Sequence, residues 1–541
     1  MAVEAGEVGR LTLTGRQGRW VVAAAVLGSA LASIDATVVG IALPALGRAF
    51  DADLAALQWV VNGYALALAG LLLVGGSLGD RYGRRRVFAV GVVWFALMSL
   101  VCGLAPNVEI LVAARALQGV GAALLTPASL AILQASFDEA DRGRAIGAWT
   151  GLGGVATAAG PFLGGWLIEA FSWRLIFLIN LPLAAVVVAV AVRHVPESHN
   201  PDVRGRPDLL GGALVTAGLV GVVFALIDGP ASGWTSAPVL VGLVGGVALL
   251  AGFVAREHRA ADPVVPLEMF ASRQFTAANA VTFLQYAALG GALFLLPIQL
   301  QQVSGFSPLA AGTALLPVTV MMLLFSARAG VLATRIGPRL PMTVGPVVAG
   351  AGLLLVTRAG PDAFYLTDVL PGAVVLGLGL ATCVAPLTST TLAAVPAHHA
   401  GAASAVNNDV ARTGGLVAVA VLPALAGLGG AAYLDPGLFD RGFRRAMVIS
   451  ALVCAAGGLV AALGIRNPRR PATELPAAER ASARIGRQAG ERVCCPLDAP
   501  GLRATPGLRA APGPRATPGV GAAPGSGATP GPPAAPGGSA G

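Results

Sequence analysis

Apolar runs of about twenty residues, separated by short polar breaks, repeat along most of this chain. Fourteen are legible, at roughly 20–46, 57–77, 86–104, 109–134, 144–170, 174–194, 208–228, 236–255, 275–303, 307–330, 338–358, 366–393, 400–428 and 445–465. A helix needs about 20 apolar residues to cross the hydrocarbon core of a bilayer. The pattern therefore predicts an all-α polytopic membrane protein with 14 transmembrane helices. The N-terminus is polar and the first run is too long for a cleavable signal peptide, so the first run is expected to stay as a span.

The polar breaks alternate in charge. Arg10, Arg16 and Arg19 precede the first run, and alternate loops then hold Arg81, Arg84, Arg85 and Arg86, then Arg142 and Arg144, then Arg193, Arg204 and Arg206, then Arg256, Arg259 and Arg273, then Arg335 and Arg339. The breaks between them, such as "APNVE" and "DGPASGWTSAP", are poorer in arginine. Positive loops remain on the cytoplasmic side, so both termini are expected there, in a multi-pass cell (plasma) membrane protein. Arg441, Arg444 and Arg445 disagree, because they fall on the expected outer side before the last run. A miscounted last span would put the tail outside.

Composition supports the same class. The 541 residues are 55% hydrophobic and 12% charged, about half the charged fraction of a soluble domain. The net charge of +9 does not point to nucleic acid, because the arginines lie in short loops and in the tail. The chain has no lysine, so no Walker-type phosphate loop exists to couple ATP directly. Cys102, Cys383 and Cys454 sit in apolar runs and Cys494 and Cys495 in the tail, with no disulfide framework. The five histidines fall in loops or at helix ends, which argues against a metal cage inside the membrane. No metal and no cofactor is expected. From about 466 the chain becomes Pro/Gly/Ala low complexity, a composition that cannot bury a core and is expected to be disordered.

The break "GGSLGDRYGRRRVF", residues 75–88, concentrates one aspartate and four arginines between two apolar runs. Gly76, Leu78, Asp80, Arg81, Gly83, Arg84 and Arg85 resemble the signature turn between helices 2 and 3 of the major facilitator superfamily. "LVAARALQGVGAALLTPA", with Arg115, Gln118, Gly119 and Gly121, resembles that family's motif in helix 4. "GVATAAGPFLGGWL", with Gly160, Pro161, Gly164 and Gly165, is similar to the antiporter motif of helix 5. "IDATVVGIALPAL", with Asp35, Thr37 and Pro44, resembles the first-helix motif of the 14-helix drug:proton antiporters. Three positions depart from these patterns: Ala156 where the antiporter motif usually begins with Gly, Gly40 where Asn is common, and Thr334 where the second-half echo "GVLATRIGPRL" would need an Asp.

The resemblance, covering residues 20 to about 465, implies two six-helix bundles plus two inserted helices. The boundaries expected are a cytoplasmic N-terminus (1–19), a first bundle (20–195), a linker with two inserted helices (196–256), a second bundle (257–465) and the tail (466–541). In the turn, Gly76 is expected to let helix 2 approach a neighbour. Asp80 is expected to face the N-terminus of helix 13, near "HHAGAASA", where unpaired N–H groups favour an anion. Such contacts form only with the bundles closed at that face, and so bias one state.

Ionisable groups at bilayer depth are costly and usually functional. Asp35 lies about 22 Å along the first run at 1.5 Å per residue, toward the outer side. By resemblance Arg115 is a proton-relay arginine. Asp409 and Arg412 lie three apart in "SAVNNDVARTGG" and share a helix face, so Arg412 is placed to neutralise Asp409. Asp35, Arg115 and Asp409 are the proton-coupling candidates, and Asn407, Asn408 and Arg412 the candidate cavity residues. Gly160–Pro161 removes a backbone bond and suits a hinge. The function implied is proton-coupled antiport of amphipathic organic compounds by a monomer that is not an enzyme, with a small-molecule substrate, protons and the lipid bilayer as partners. A facilitator or uptake permease for a small polar metabolite on the same fold is the alternative reading.

Overall fold

The computed structural model describes residues 11–199, 208–260, 265–396, 399–429, 433 and 435–467. Apart from Arg466 and Asn467, the tail lies outside the described residues. Fourteen long helices follow in order: α1 Arg16–Phe50, α2 Leu54–Tyr82, α3 Arg84–Leu104, α4 Val108–Ser136, α5 Glu139–Ala170, α6 Leu175–His194, α7 Leu209–Ser232, α8 Ala237–Arg259, α9 Arg273–Val303, α10 Pro308–Ile336, α11 Arg339–Val356, α12 Tyr365–Ala393, α13 Ala400–Leu425 and α14 Pro436–Gly464. Among the described residues, 13 helices are long and apolar enough to cross a membrane, and α13 is not one of them. Its 26 residues span the same depth, about 39 Å at 1.5 Å per residue, but Asn407, Asn408, Asp409 and Arg412 interrupt its apolar character.

Several helices start ahead of their apolar stretches because polar side chains cap them. Asp53 accepts from the Ala56 amide at 2.8 Å and Asn107 from the Ile110 amide at 2.9 Å, each satisfying an unpaired N–H of a first turn. The last helix departs most from the sequence expectation, starting at Pro436 rather than near 445. Asp435 caps it by accepting from the Gly437 and Leu438 amides, and Pro436 occupies the first helical position, where a missing N–H is tolerated. Arg441, Arg444 and Arg445 therefore belong to the first turns of α14 and not to a loop, and Arg444 pairs with Asp440 at 3.0 Å.

The chain ends of one face are tied together. The Leu13 amide donates to Asp141 at the start of α5, and Gln17 to the carbonyl of His194 at the end of α6. In the second half, Arg339 donates to the Ala462 carbonyl and Arg273 to the Leu463 carbonyl. This face also carries the turn at residues 80–86 and is called the motif face below. The two halves repeat a detail there. Gly83, at φ +106°, meets Glu197 from the α6–α7 connection, and Gly337, at φ +87°, meets Asn467 after α14. Only glycine adopts such angles without strain.

Helices α1–α6 form one bundle and α9–α14 the other. Contacts joining the bundles lie at the opposite face. Gln58 of α2 donates to the Val419 and Ala420 carbonyls of α13, Gln301 of α9 to the Ile41 carbonyl of α1, and the Leu309 amide of α10 to Glu169 of α5. Toward the motif face the surfaces separate. A Cβ added at Gly143, Gly147, Gly151, Gly153 or Gly154 of α5 would meet nothing within 4 Å. The molecule is thus closed at one face and open at the motif face. The inserted helices α7 and α8 pack on each other, and α7 seats on α2 where Gly70 faces Thr216 and Gly212 faces Val74.

Candidate functional site

Asp35 and Arg115, 80 residues apart in sequence, meet inside the first bundle. Each is 1% exposed, and Arg115 Nη1 donates to Asp35 Oδ2. The other carboxylate oxygen accepts from Gln118 Nε2 and from Asn180 Nδ2, both at 3.0 Å. Arg115 also donates to Gln118 Oε1 at 2.8 Å and, through Nε, to the Val60 carbonyl at 3.3 Å. Its guanidinium lies 4.2 Å from the centre of the Tyr64 ring, a cation–π contact in a dry site. Asn180 is anchored in turn by Ser99 at 3.0 Å. Five helices, α1, α2, α3, α4 and α6, thus converge on one ion pair. Taking both charges out of water is costly, and a network this complete is what makes it tolerable. Asn180, Ser99 and Tyr64 were not singled out from sequence; a polar residue inside an apolar run was the only available signal.

The pair is sealed from the space between the bundles. A central cavity of about 390 Å³ is lined by α1, α2, α5, α9, α10 and α13. Ala36 and Thr37 border it, while Asp35 turns away into the bundle. The lining is largely apolar, with Thr37, Asn62, Tyr286 and Arg412 as polar groups. Asn62 is 1% exposed and neither its Oδ1 nor its Nδ2 has a hydrogen-bond partner. Gln58 and Gln301 close the cavity toward the opposite face through their bonds across the seam.

The antiporter motif packs α5 onto α1 and onto the second bundle. A Cβ on Gly160 would collide with Thr37 Oγ1, and one on Gly164 would sit 3.1 Å from Val38. A Cβ on Gly165 would lie 2.5 Å from the Pro308 carbonyl oxygen, across the bundle seam. Pro161 lines the cavity, and its carbonyl meets Gly312.

In the charged turn, Asp80 pairs with Arg84 at 2.7 Å, and Arg81 stacks loosely beside Tyr82. Among the described residues no hydrogen bond or ion pair joins Asp80 to the start of α13. The expected docking is absent because the bundles are apart at this face. Gly76 does not make the close approach expected of it. A Cβ there would sit 3.6 Å from Pro127, an ordinary contact, whereas one on Gly75 would collide with the Ala123 carbonyl of α4. Glu197, which sequence reading missed, holds the turn. It accepts from the Arg85 amide at 3.0 Å and lies 3.6 Å from the Arg85 and Arg86 guanidinium groups.

Asp409 and Arg412 do not form an ion pair. Among the described residues Asp409 has no ion pair, its Oδ1 is buried without a hydrogen-bond partner, and Arg412 borders the central cavity instead. Asn407 ties α13 to α9 by donating to Asn279 at 3.1 Å and Thr282 at 2.8 Å, and Asn408 donates to the Ser404 carbonyl. Both asparagines border a small cavity of about 70 Å³ beside Tyr286, not the central one.

Two helix bundles around a central cavity, closed at one face and open at the other, define a polytopic membrane transporter. The family profile described as Major Facilitator Superfamily matches residues 25–420, and the chain belongs to that family. It is similar to the multidrug resistance protein Stp of Mycobacterium tuberculosis, at 37% identity over 76% of each chain. It is also similar to the tetracenomycin C resistance and export protein of Streptomyces glaucescens, at 35% identity over 78% of this chain and 79% of that one. Among solved structures, a bacterial homolog of the human lysosomal transporter Spinster, inward-facing and unoccupied, shares the fold. Its TM-score is 0.60 at 16% identity, covering 85% of this chain and 100% of that chain. A POT family transporter in complex with 5-aminolevulinic acid gives a TM-score of 0.62 at 14% identity, covering 83% and 97%.

Proposed function

We propose that this protein exports amphipathic organic compounds, antibiotics or related metabolites among them, in exchange for protons, acting as a monomer in the cell membrane. The observation that carries the reading is the Asp35–Arg115 pair buried inside the first bundle, behind the Ala36–Thr37 wall of the central cavity. The resistance and export proteins it resembles support the substrate class. In this reading the arginine-rich motif face is cytoplasmic, both termini lie there, and the conformation is the inward-open one.

Substrate binds between the bundles, against the apolar lining, Asn62, Tyr286 and Arg412. A proton reaching Asp35 from outside cancels the carboxylate charge and frees Arg115, which then needs other partners. Because α1, α2, α3, α4 and α6 all contribute to the network, its rearrangement alters how α1 packs on its neighbours. Gly160–Pro161 lets α5 flex where it bears on α1. The bundles rock about the central site, and closure at the cytoplasmic face brings Asp80 to the start of α13. Differential stability of the pair between the two states is what couples proton to substrate.

Expression in a pump-deficient bacterial host tests this. Tolerance to amphipathic compounds should rise, and a protonophore should abolish the rise. Compound accumulation that is unaffected by the protonophore would favour the facilitator instead.

A further inference from the structure

Among the described residues, the side chains that hydrogen-bond across the seam between the bundles are Gln58, Gln301 and Glu169. Gln58 and Gln301 donate through neutral amides, whereas Glu169 is charged and accepts, taking the Leu309 amide at 3.0 Å. Pro161, Gly165 and Glu169 are spaced four apart on α5 and so share one face. Each meets the first six residues of α10, Pro308–Thr313, a separate helical piece before the helix resumes at Leu316. The Pro161 carbonyl faces Gly312 and the Pro308 carbonyl faces Gly165, both close backbone approaches that a side chain would block. Glu169 follows one turn further on, exposed near the end of α5.

Every amide in the first turn of α10 is accounted for. Pro308 has no N–H. The Ala310 amide donates to Ser307 Oγ at 3.2 Å and the Ala311 amide to the Ser307 carbonyl at 2.9 Å. The Leu309 amide finds its partner in the other bundle, at Glu169. A helix start leaves unpaired donors that favour an anion, so this turn is complete only while the bundles touch at the opposite face. Glu169 forms no ion pair among the described residues, so no arginine competes with Leu309 for it. We infer that Glu169 is the outer latch of the alternating-access cycle. Its carboxylate completes the first turn of α10 across the seam, holds the outer face shut in the inward-open state, and lets go when that face opens. It touches no substrate and acts by positioning α10 against α5. The inference rests on the export reading for which face is the outer one, and adds to that reading a group whose strength sets the ratio of the two states.

The test is a distance measurement on the full chain in nanodiscs, with no pH gradient and no substrate. Spin labels are attached through Glu109→Cys, at the start of α4, and Pro361→Cys, between α11 and α12, both exposed on the opposite face. Cys494 and Cys495 are replaced by Ser, and Cys102, Cys383 and Cys454 are buried. Pulsed electron–electron double resonance then gives the ratio of wide to narrow separations at this face. Glu169→Ala should raise that ratio about fivefold, the shift expected when one exposed helix-capping contact is lost. Glu169→Gln keeps a carbonyl acceptor and loses the charge, and should raise it only about twofold. Asp53→Ala removes a cap on the same face that stays within one bundle, and should leave the ratio unchanged. An unchanged ratio in Glu169→Ala, an equal rise in Asp53→Ala, or no wide population in Glu169→Ala combined with Gln58→Ala would overturn the latch. Because no gradient or substrate is used, failure of proton-coupled export would leave this result unchanged, and failure here would leave export standing.

Discussion

Replacing Asp35 by Asn keeps the shape of the side chain and removes its charge. Arg115, 1% exposed, would then be a buried cation without a counter-charge, left with Gln118 Oε1, the Val60 carbonyl and the Tyr64 and Phe177 rings. Breaking a buried pair from one side costs about 3–5 kcal/mol. The new amide adds a conflict. Asp35 Oδ1 receives two N–H donors and Oδ2 receives Arg115, so either amide orientation sets a donor against a donor, at about 1–3 kcal/mol. The surviving contacts of Arg115 offset part of this. A net loss near 3 kcal/mol is expected, a large share of a stability of about 5–15 kcal/mol. Denaturant unfolding in mixed micelles measures it. Asp35→Asn combined with Arg115→Gln should recover most of the loss, because no unpaired charge remains, while proton-driven transport stays absent. If Asp35→Asn alone unfolds within about 1 kcal/mol of wild type, the pair is not the energetic element argued for here.

Three further outcomes follow from the same geometry. Gly75→Val should destabilise the protein by several kcal/mol in that assay, because its side chain would enter the α4 backbone, while Gly76→Ala should cost less than about 1 kcal/mol; equal effects would contradict the packing described. Asp80→Asn should leave unfolding almost unchanged, since the Asp80–Arg84 pair is partly exposed and such pairs contribute about 0–1 kcal/mol, yet it should severely impair export at normal membrane abundance; wild-type export would remove the gate role. The Arg256 hydrogen bond holds the Asp208 carboxyl below its ordinary range, so this staple stabilises the fold above the unfolded-state pKa of about 3.9 and is lost as pH falls through the lower folded value. The acid-induced part of unfolding should therefore shrink in Arg256→Gln, and an identical acid profile in that variant would contradict it.

The helix plan was legible in the sequence because membrane spans announce themselves by length and apolarity alone. The exceptions have local causes. α14 began early because Asp435, Pro436 and the Asp440–Arg444 pair make helix out of a stretch that composition reads as loop. α13 looks weakest by apolarity because its charges face cavities and not lipid. Of the candidate site, Asp35 and Arg115 were visible as charges at bilayer depth, but nothing in sequence reports that Asn180 and Ser99 complete their shell. Sharing a helix face within three residues does not decide which cavity each side chain enters, so sequence could not tell whether Asp409 and Arg412 would pair. Glu197 was illegible: its effect depends on how the α6–α7 connection folds back over the turn at Gly83.

The central claim is that substrate and protons move in opposite directions through one coupled cycle. Proteoliposomes with an acidic lumen and a lumenal pH dye test it most directly. Adding an amphipathic substrate outside should alkalinise the lumen as substrate accumulates, in a fixed ratio, and Asp35→Asn should abolish the proton movement. Substrate accumulation with no change in lumenal pH, or proton movement by Asp35→Asn equal to wild type, would contradict the account.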